Sequence, residues 1–235
     1  MPQARSDLLR PSRRGLLLGI SGMGLAALSL ARRPLAAQTP LPPMGTYVYS
    51  IFDEGRGQIG SLSTDLADAG DSVTATIERQ IQVKVLGVTV YRNESRVVQQ
   101  LKQGRLISLT REGNDNGDKT SLKIALEGGG LKVEMAGETW SLAADLLPSS
   151  PWNPAVVTNG RLIDLDSGRA IEVTNSPEGE SEVEVAGAKI QARKTRQNGV
   201  LDRDLWFDAT GRLAHMVLRR RGNVITMVLE RAPTG

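Results

Sequence analysis

The sequence predicts a mainly β protein: a curved antiparallel sheet forming an open barrel or a sandwich, with one short helix or loop insertion. Three observations carry this. Apolar and polar residues alternate with period two in segment after segment. Short turns rich in Gly, Asn and Asp separate those segments. Hydrophobic residues make up 40% of the chain and aromatics only 3%, so a core exists and rests on Val, Leu, Ile and Ala.

The elements follow in order. Gln38 to Met44 is a Pro-rich lead-in (Pro40, Pro42, Pro43) and extended. Thr46 to Phe52 and Gln58 to Thr64 flank an Asp-Glu-Gly-Arg-Gly turn. Val73 to Val85 is the clearest strand. Val73, Ala75, Ile77, Ile81, Val83 and Val85 share one face, and only Arg79 breaks its apolar character. A long strand with one wet face belongs to an antiparallel sheet. Leu122, Ile124 and Leu126 alternate, Gly128-Gly129-Gly130 turns the chain, and Leu131, Val133 and Met135 alternate back. Ile171 to Thr174, Glu182 to Ala186 and Lys189 to Arg196 read as shorter strands. Leu201 to Asp208, Arg212 to Arg221 and Val224 to Arg231 read as a closing meander. About ten to twelve strands on short turns suit a twisted sheet, an open barrel or a sandwich. In the middle, Pro148-Ser149-Ser150-Pro151-Trp152-Asn153-Pro154 is a rigid loop. Asn153 and Pro154 there could open a short helix within Ala155 to Asp164.

Residues 1–37 read differently. Ser12-Arg13-Arg14-Gly15-Leu16-Leu17 precedes an apolar run, Leu16 to Ala31, diluted by glycines. This resembles a twin-arginine signal peptide, with Leu18 where Lys is often found. It implies export to the periplasm with the twin-arginine translocase as partner. Cleavage is expected near Ala37-Gln38, with Ser29-Leu30-Ala31 as a second candidate, and leaves no stable membrane span. The expected organisation is a signal peptide over 1–37, the lead-in over 38–44 and a single β domain over 45–235.

Removing that segment changes the charge. Six Arg and one Asp lie in it, so the 29 basic and 26 acidic residues fall to 23 and 25, a formal charge near −2. The global electrostatic case for nucleic acid disappears with it. The chain has no Cys, which excludes thiol catalysis, cysteine zinc sites and iron–sulfur clusters. His215 is the only histidine, inside an amphipathic strand, and reads as packing or surface. Glu112-Gly113-Asn114-Asp115-Asn116-Gly117-Asp118 fails the calcium-loop pattern at both ends and reads as a hairpin tip. No cofactor or metal is expected, and no catalytic residue stands out.

The remaining candidates are aromatics. Tyr47, Tyr49, Trp140, Trp152 and Trp206, with Phe52 and Phe207, could line a lipophilic pocket between sheet and helix, or plug the core. Carboxylates such as Asp202, Asp204 and Asp208 are the alternative chemistry.

Three motifs carry a family resemblance: Tyr47-x-Tyr49 leading to Ile59-Gly60; Ile81-x-Val83-Lys84-Val85-Leu86-Gly87-Val88; and Leu205-Trp206-Phe207-Asp208-x-x-Gly211-x-Leu213. Over residues 45 to 231 the chain resembles an exported proteobacterial family built on domain of unknown function 6134. The resemblance implies a curved antiparallel sheet and no assigned reaction. The expected function is a non-enzymatic module that binds a lipid or other apolar small molecule. A structural or interaction protein of the envelope and a carboxylate-dependent hydrolase are the alternatives.

Overall fold

The computed structural model describes residues 40–220 and 222–233. The segment read as an export signal, with Arg13 and Arg14, lies outside them, as does Arg221.

Among the described residues fifteen strands form one sheet. The first eight are β1 (Gly45–Asp53), β2 (Gly57–Asp68), β3 (Ser72–Val85), β4 (Val88–Lys102), β5 (Arg105–Asp115), β6 (Asp118–Glu127), β7 (Gly130–Met135) and β8 (Glu138–Ala143). Then come β9 (Leu147–Pro148), a 3-10 helix (Pro154–Val157), β10 (Arg161–Ile163), β11 (Ala170–Val185) and β12 (Ala188–Gly199). The chain closes with β13 (Asp202–Phe207), β14 (Leu213–Arg220) and β15 (Asn223–Arg231).

The strand order is β8-β7-β6-β5-β4-β3-β2-β1-β15-β14-β13-β12-β11-β10-β9. The domain therefore starts in the middle of the sheet and walks out to one edge. It crosses to the other edge and walks back until β15 pairs with β1, from Val48↔Arg231 to Asp53↔Ile225. Every other neighbouring pair joins strands consecutive in the chain, and β9 with β10 is the one parallel pair. Strands β8 and β9 end the order without pairing to each other. The sheet curves but stays open, as the alternation predicts.

The local chemistry explains the hairpins. Leu86-Gly87, Gln103-Gly104, Asn116-Gly117, Ala136-Gly137 and Ala186-Gly187 each have positive φ at both residues. That is the turn geometry whose twist matches the flanking strands. Alternation then turns one face inward. In β1 the buried residues are Tyr47, Tyr49, Ile51 and Asp53. Leu106, Leu109, Leu122, Ile124, Leu131, Leu205 and Leu229 are fully buried on the concave side. Each contributes about 1.5–3 kcal/mol by leaving water.

The link from edge to edge fills part of that concave face. Trp152 Nε1 donates to Gln99 Oε1 on β4 (3.1 Å), and Gln99 Nε2 donates to Ser150 Oγ. On the opposite side Gln197 Nε2 donates to Val156 O (3.0 Å), and Arg203 Nη1 donates to Ser149 O (2.9 Å). Gln197 Oε1 accepts from Arg203 Nε (2.7 Å). Gln99 and Gln197 are 1% and 0% exposed, so each amide bond here replaces water that cannot enter.

The structure departs from the sequence expectation in several places. The shorter strands expected over Ile171 to Thr174 and Glu182 to Ala186 are parts of one continuous strand, β11, and β8 and β9 lie where no strand is expected. The helix expected within Ala155 to Asp164 is one 3-10 turn, with Asn153 accepting from Ala155 N as its cap, and Arg161–Ile163 is β10. Leu86-Gly87 is a turn between β3 and β4, so the motif through Val88 is not one continuous strand. Two strands escape the alternation pattern, β4 and β5. Their inward positions include Asn93, Ser95, Gln99, Arg111 and Gly113, so polar groups interrupt the apolar face.

Candidate functional site

Cross-strand pairing sets out the concave wall near the β3–β4 turn. One row runs Ile81–Gly60–Ile51–Met227–Met216–Leu205 across β3, β2, β1, β15, β14 and β13. The next row towards the turns includes Asp53, Ile225 and Leu218. Leu62, Ile81, Val83, Met216, Leu218 and Ile225 are all half-buried, although they sit on the inward face. Here the concave side is apolar and not fully covered by the described residues.

Arginines border this wall. Arg79 pairs across the sheet with Leu62 and Ser95, so it faces inward. Its Nη2 donates to Asn93 Oδ1 (3.0 Å), while Nε is buried with no partner among the described residues. Burial holds its pKa below the ordinary value. Asp166 opposes that shift, and Arg111 adds to it by repulsion. Arg111, itself buried, donates to Thr120 Oγ1 (3.1 Å) and to Asp166 Oδ1 (3.2 Å). Arg220 Nη1 reaches Asp166 Oδ2 (3.0 Å). Two guanidinium groups thus hold one carboxylate, and Arg79 lies within its electrostatic reach. Asp166 is drawn up by burial but held below the usual carboxylate range by Arg220 and Arg111. Tyr91 and Asp115 flank the group, and burial followed by Asp115 pushes the Tyr91 hydroxyl upward.

The loop between β10 and β11 delivers Asp166. Gly168 has φ +65°, and a Cβ there would lie 2.8 Å from Leu122 Cδ1 and 3.0 Å from Trp140 Cζ2. Only glycine seats this loop against β6 and β8. Trp140 Nε1 donates to Gly168 O (3.2 Å), and the Arg169 guanidinium lies 3.9 Å from the Trp140 ring centre.

A second concavity lies on the outer face, a groove of about 470 Å3 lined by Phe52, Val183, His215, Val228 and the acids Glu182, Glu184 and Glu230. A register shift between Pro177 and Gly179 bends the β11–β12 hairpin, and only Arg193 to Gln197 of β12 pair with β13. Trp206 Nε1 meets Ser181 Oγ beneath the bent half (2.9 Å). His215 stacks edge-on against Trp206 with centroids 4.9 Å apart, and burial lowers its pKa.

The aromatics singled out in the sequence do not share one pocket. Tyr47 and Tyr49 are core residues whose hydroxyls donate to Pro43 O (2.6 Å) and Leu213 O (3.2 Å). Trp152 is tied to Gln99, Trp140 to the Asp166 loop, and Trp206 to the outer groove. Nothing in the sequence brings the candidate residues Arg111, Asp166 and Arg220 together. The available signal was Arg79, the one charged residue on an otherwise apolar face.

The acids are engaged. Asp204 is raised by burial but held low overall by Arg219 and Arg196, which donate to it at 2.9 and 3.0 Å. Asp208 accepts from Thr210 N, Thr210 Oγ1, Arg212 N and Arg212 Nε and so builds its own turn. Among the described residues no group of three or more His, Cys, Asp or Glu is placed to hold a metal ion.

The profile of a domain of unknown function, DUF6134, matches residues 49–230. Comparison with curated proteins gives no match. Among solved structures the fold is similar to a β-barrel-like protein of domain of unknown function DUF1849 from Brucella abortus. The TM-score is 0.61 at 12% identity, covering 81% of this chain and 96% of that one. LprF from Mycobacterium bovis matches at TM-score 0.29 and 10% identity, over 82% of this chain and 88% of that one.

Proposed function

The chain belongs to the DUF6134 domain family, and we propose that it is an exported binding module that holds an apolar ligand with an anionic end. One observation carries the reading. Half-buried Leu62, Ile81, Val83, Met216, Leu218 and Ile225 line a concave wall that is bordered by Arg79, Arg111 and Arg220 against a single neutralising Asp166. Apolar wall and surplus guanidinium together suit a fatty acid or another acidic amphiphile. The tail takes the wall, and the head takes the unpartnered Nε of Arg79. The acids that hydrolysis would use, Asp202, Asp204 and Asp208, are occupied by neighbouring Arg side chains or their own turn. That favours binding over reaction.

Titration with a fluorescent fatty acid tests the reading. The native protein binds it, and Arg79→Gln weakens binding about tenfold, the worth of one charge-assisted hydrogen bond. Native mass spectrometry of protein purified from a periplasm shows the copurified amphiphile. Absence of binding, or equal binding by Arg79→Gln and Arg111→Gln variants, overturns the reading.

The free edges support a second reading, an envelope interaction protein. Strands β8 and β9 each keep one side unpaired within the sheet, and such an edge accepts an added strand. Pull-down from crosslinked periplasm tests it. Under either reading the protein is periplasmic, carried there by the twin-arginine translocase that Arg13 and Arg14 would engage.

A further inference from the structure

The β3–β4 hairpin outruns its neighbours. Pairing of β3 with β2 ends at Ile81↔Gly60, and pairing of β4 with β5 ends at Asn93↔Asp115. Beyond those points Gln82 to Arg92 pair only with each other, apart from the contact of Asn116 with Arg92. The result is a two-stranded arm. Its tip is apolar and bare: Val85 is 51% exposed, Leu86 100%, Val88 65% and Val90 55%. These are four of the seven large hydrophobics exposed among the described residues. A fifth, Val200, lies in the β12–β13 turn, which strand alternation places at the same end of the sheet.

The turn chemistry makes the tip more unusual. Leu86 has φ +50° at a position that Asn, Asp or Gly would fill without strain. A leucine with no protein contact gains nothing for the fold in that conformation. Lys84, Arg56 and Arg92, with Glu94 as the one acid, border the arm where it leaves the sheet.

We propose that this arm docks the protein on a lipid bilayer bearing anionic headgroups, with the Val85–Val90 tip seated in the interfacial layer. The occupant follows from size, shape and charge. Four aliphatic side chains on a narrow prong fall well short of the ~800 Å2 per partner that a specific protein interface needs. Each still gains by leaving water for acyl chains. The free edges of the arm carry unpaired backbone groups that cannot enter hydrocarbon, so insertion is shallow and stops near Lys84 and Thr89, which pair across the arm. At that depth Lys84 reaches headgroup phosphates by snorkelling. The inference stands on the arm alone and does not require a ligand in the concave wall.

The test uses the full chain and its variants with phosphatidylcholine–phosphatidylglycerol vesicles. Leu86→Asp lowers vesicle affinity about tenfold or more relative to the native chain. Leu86→Trp reports insertion: its emission shifts to the blue on vesicles and is quenched by lipids with brominated acyl chains. Leu86→Asp does not lower the urea midpoint, because the side chain is fully exposed and Asp suits the positive φ at this position. Equal vesicle binding by Leu86→Asp overturns the proposal. So does Leu86→Trp emission that vesicles leave unaltered, or a change of oligomeric state in Leu86→Asp without lipid, which would mark the tip as a contact between protein copies. Fatty-acid titration of Leu86→Asp in vesicle-free buffer reads the concave wall separately, so failure of one reading does not hide the other.

Discussion

Arg111 and Arg220 stand on strands separated in the sheet by β4, β3, β2, β1 and β15, yet each donates to one oxygen of the same carboxylate, Asp166. The β10–β11 loop thereby ties two distant parts of the wall. Asp166→Asn removes the charge and keeps the shape, leaving buried Arg111 without a counter-ion. The expected loss is about 1–3 kcal/mol. It is smaller than for a sealed pair because Asp166 itself is partly exposed. Urea unfolding with an unchanged slope and a lower midpoint is the readout.

Gln197 is a sharper case. Gln197→Leu preserves volume but orphans Arg203 Nε and Asn175 Oδ1, both of which bond the amide. Arg203 is already depressed to about 10 by burial. Losing one more of its acceptors costs about 2–4 kcal/mol. A midpoint equal to that of the native chain would show that water reaches this interior.

His215 gives the stability curve an acid limb. Its folded pKa is lowered from 6.5 by burial. Below pH 6.5 the unfolded chain therefore takes up a proton that the folded chain refuses. Stability falls as pH drops through 6.5, by at most about 1.4 kcal/mol per unit, and this contribution levels off below the folded value. His215→Gln removes the limb. Denaturation midpoints of both proteins between neutral pH and pH 5 make the comparison, and parallel curves contradict it.

Two glycines with positive φ separate strain from crowding. At Gly104, φ is +76° and an added Cβ would meet no atom within 4 Å, so Gly104→Ala costs about 1 kcal/mol of backbone strain. At Gly168 the same strain is joined by overlap with Leu122 and Trp140, so Gly168→Ala costs about 2–4 kcal/mol. Thermal midpoints of the two variants that coincide would show that the loop yields freely.

Export can be probed with charge held constant. Arg13→Lys with Arg14→Lys keeps the positive charge but removes the planar guanidinium pair. The expected outcome is a folded precursor held in the cytoplasm, followed by pulse-chase fractionation. Normal maturation of the double variant would mean that the general secretion route carries the chain.

Much of the fold was legible in residues such as Val73 to Val85, where apolar and polar side chains alternate and Ala75 and Ile77 on the apolar face go to the core. Turn residues at Gly128-Gly129 and Asp208 to Gly211 marked hairpins for equally local reasons. Strands β4 and β5 were not legible, because Asn93, Gln99 and Arg111 occupy inward positions. Their inward face is explained only by partners far along the chain: Trp152 for Gln99 and Asp166 for Arg111. The Asp166 loop was hidden for the same reason. Nothing near Asp166 in the sequence indicates that Arg111 and Arg220 converge on it. The aromatics were visible as large apolar groups, but their separation into core, loop support and outer groove depends on curvature that period-two alternation does not encode.

The pairing of β1 with β15 bears on how the chain could be rewired. The ends of the domain meet in the centre of the sheet, and Gly45 comes so near Pro233 that a Cβ on the glycine would lie 2.8 Å from the proline ring. A short linker from residue 233 to residue 45, with new termini opened between Ala144 and Asp145, would turn the strand order into one uninterrupted walk from β9 to β8. The single long-range strand pairing would become a neighbouring hairpin, lowering the contact order without removing a ladder bond. Such a circular permutant should refold faster than the natural connectivity while keeping the same sheet.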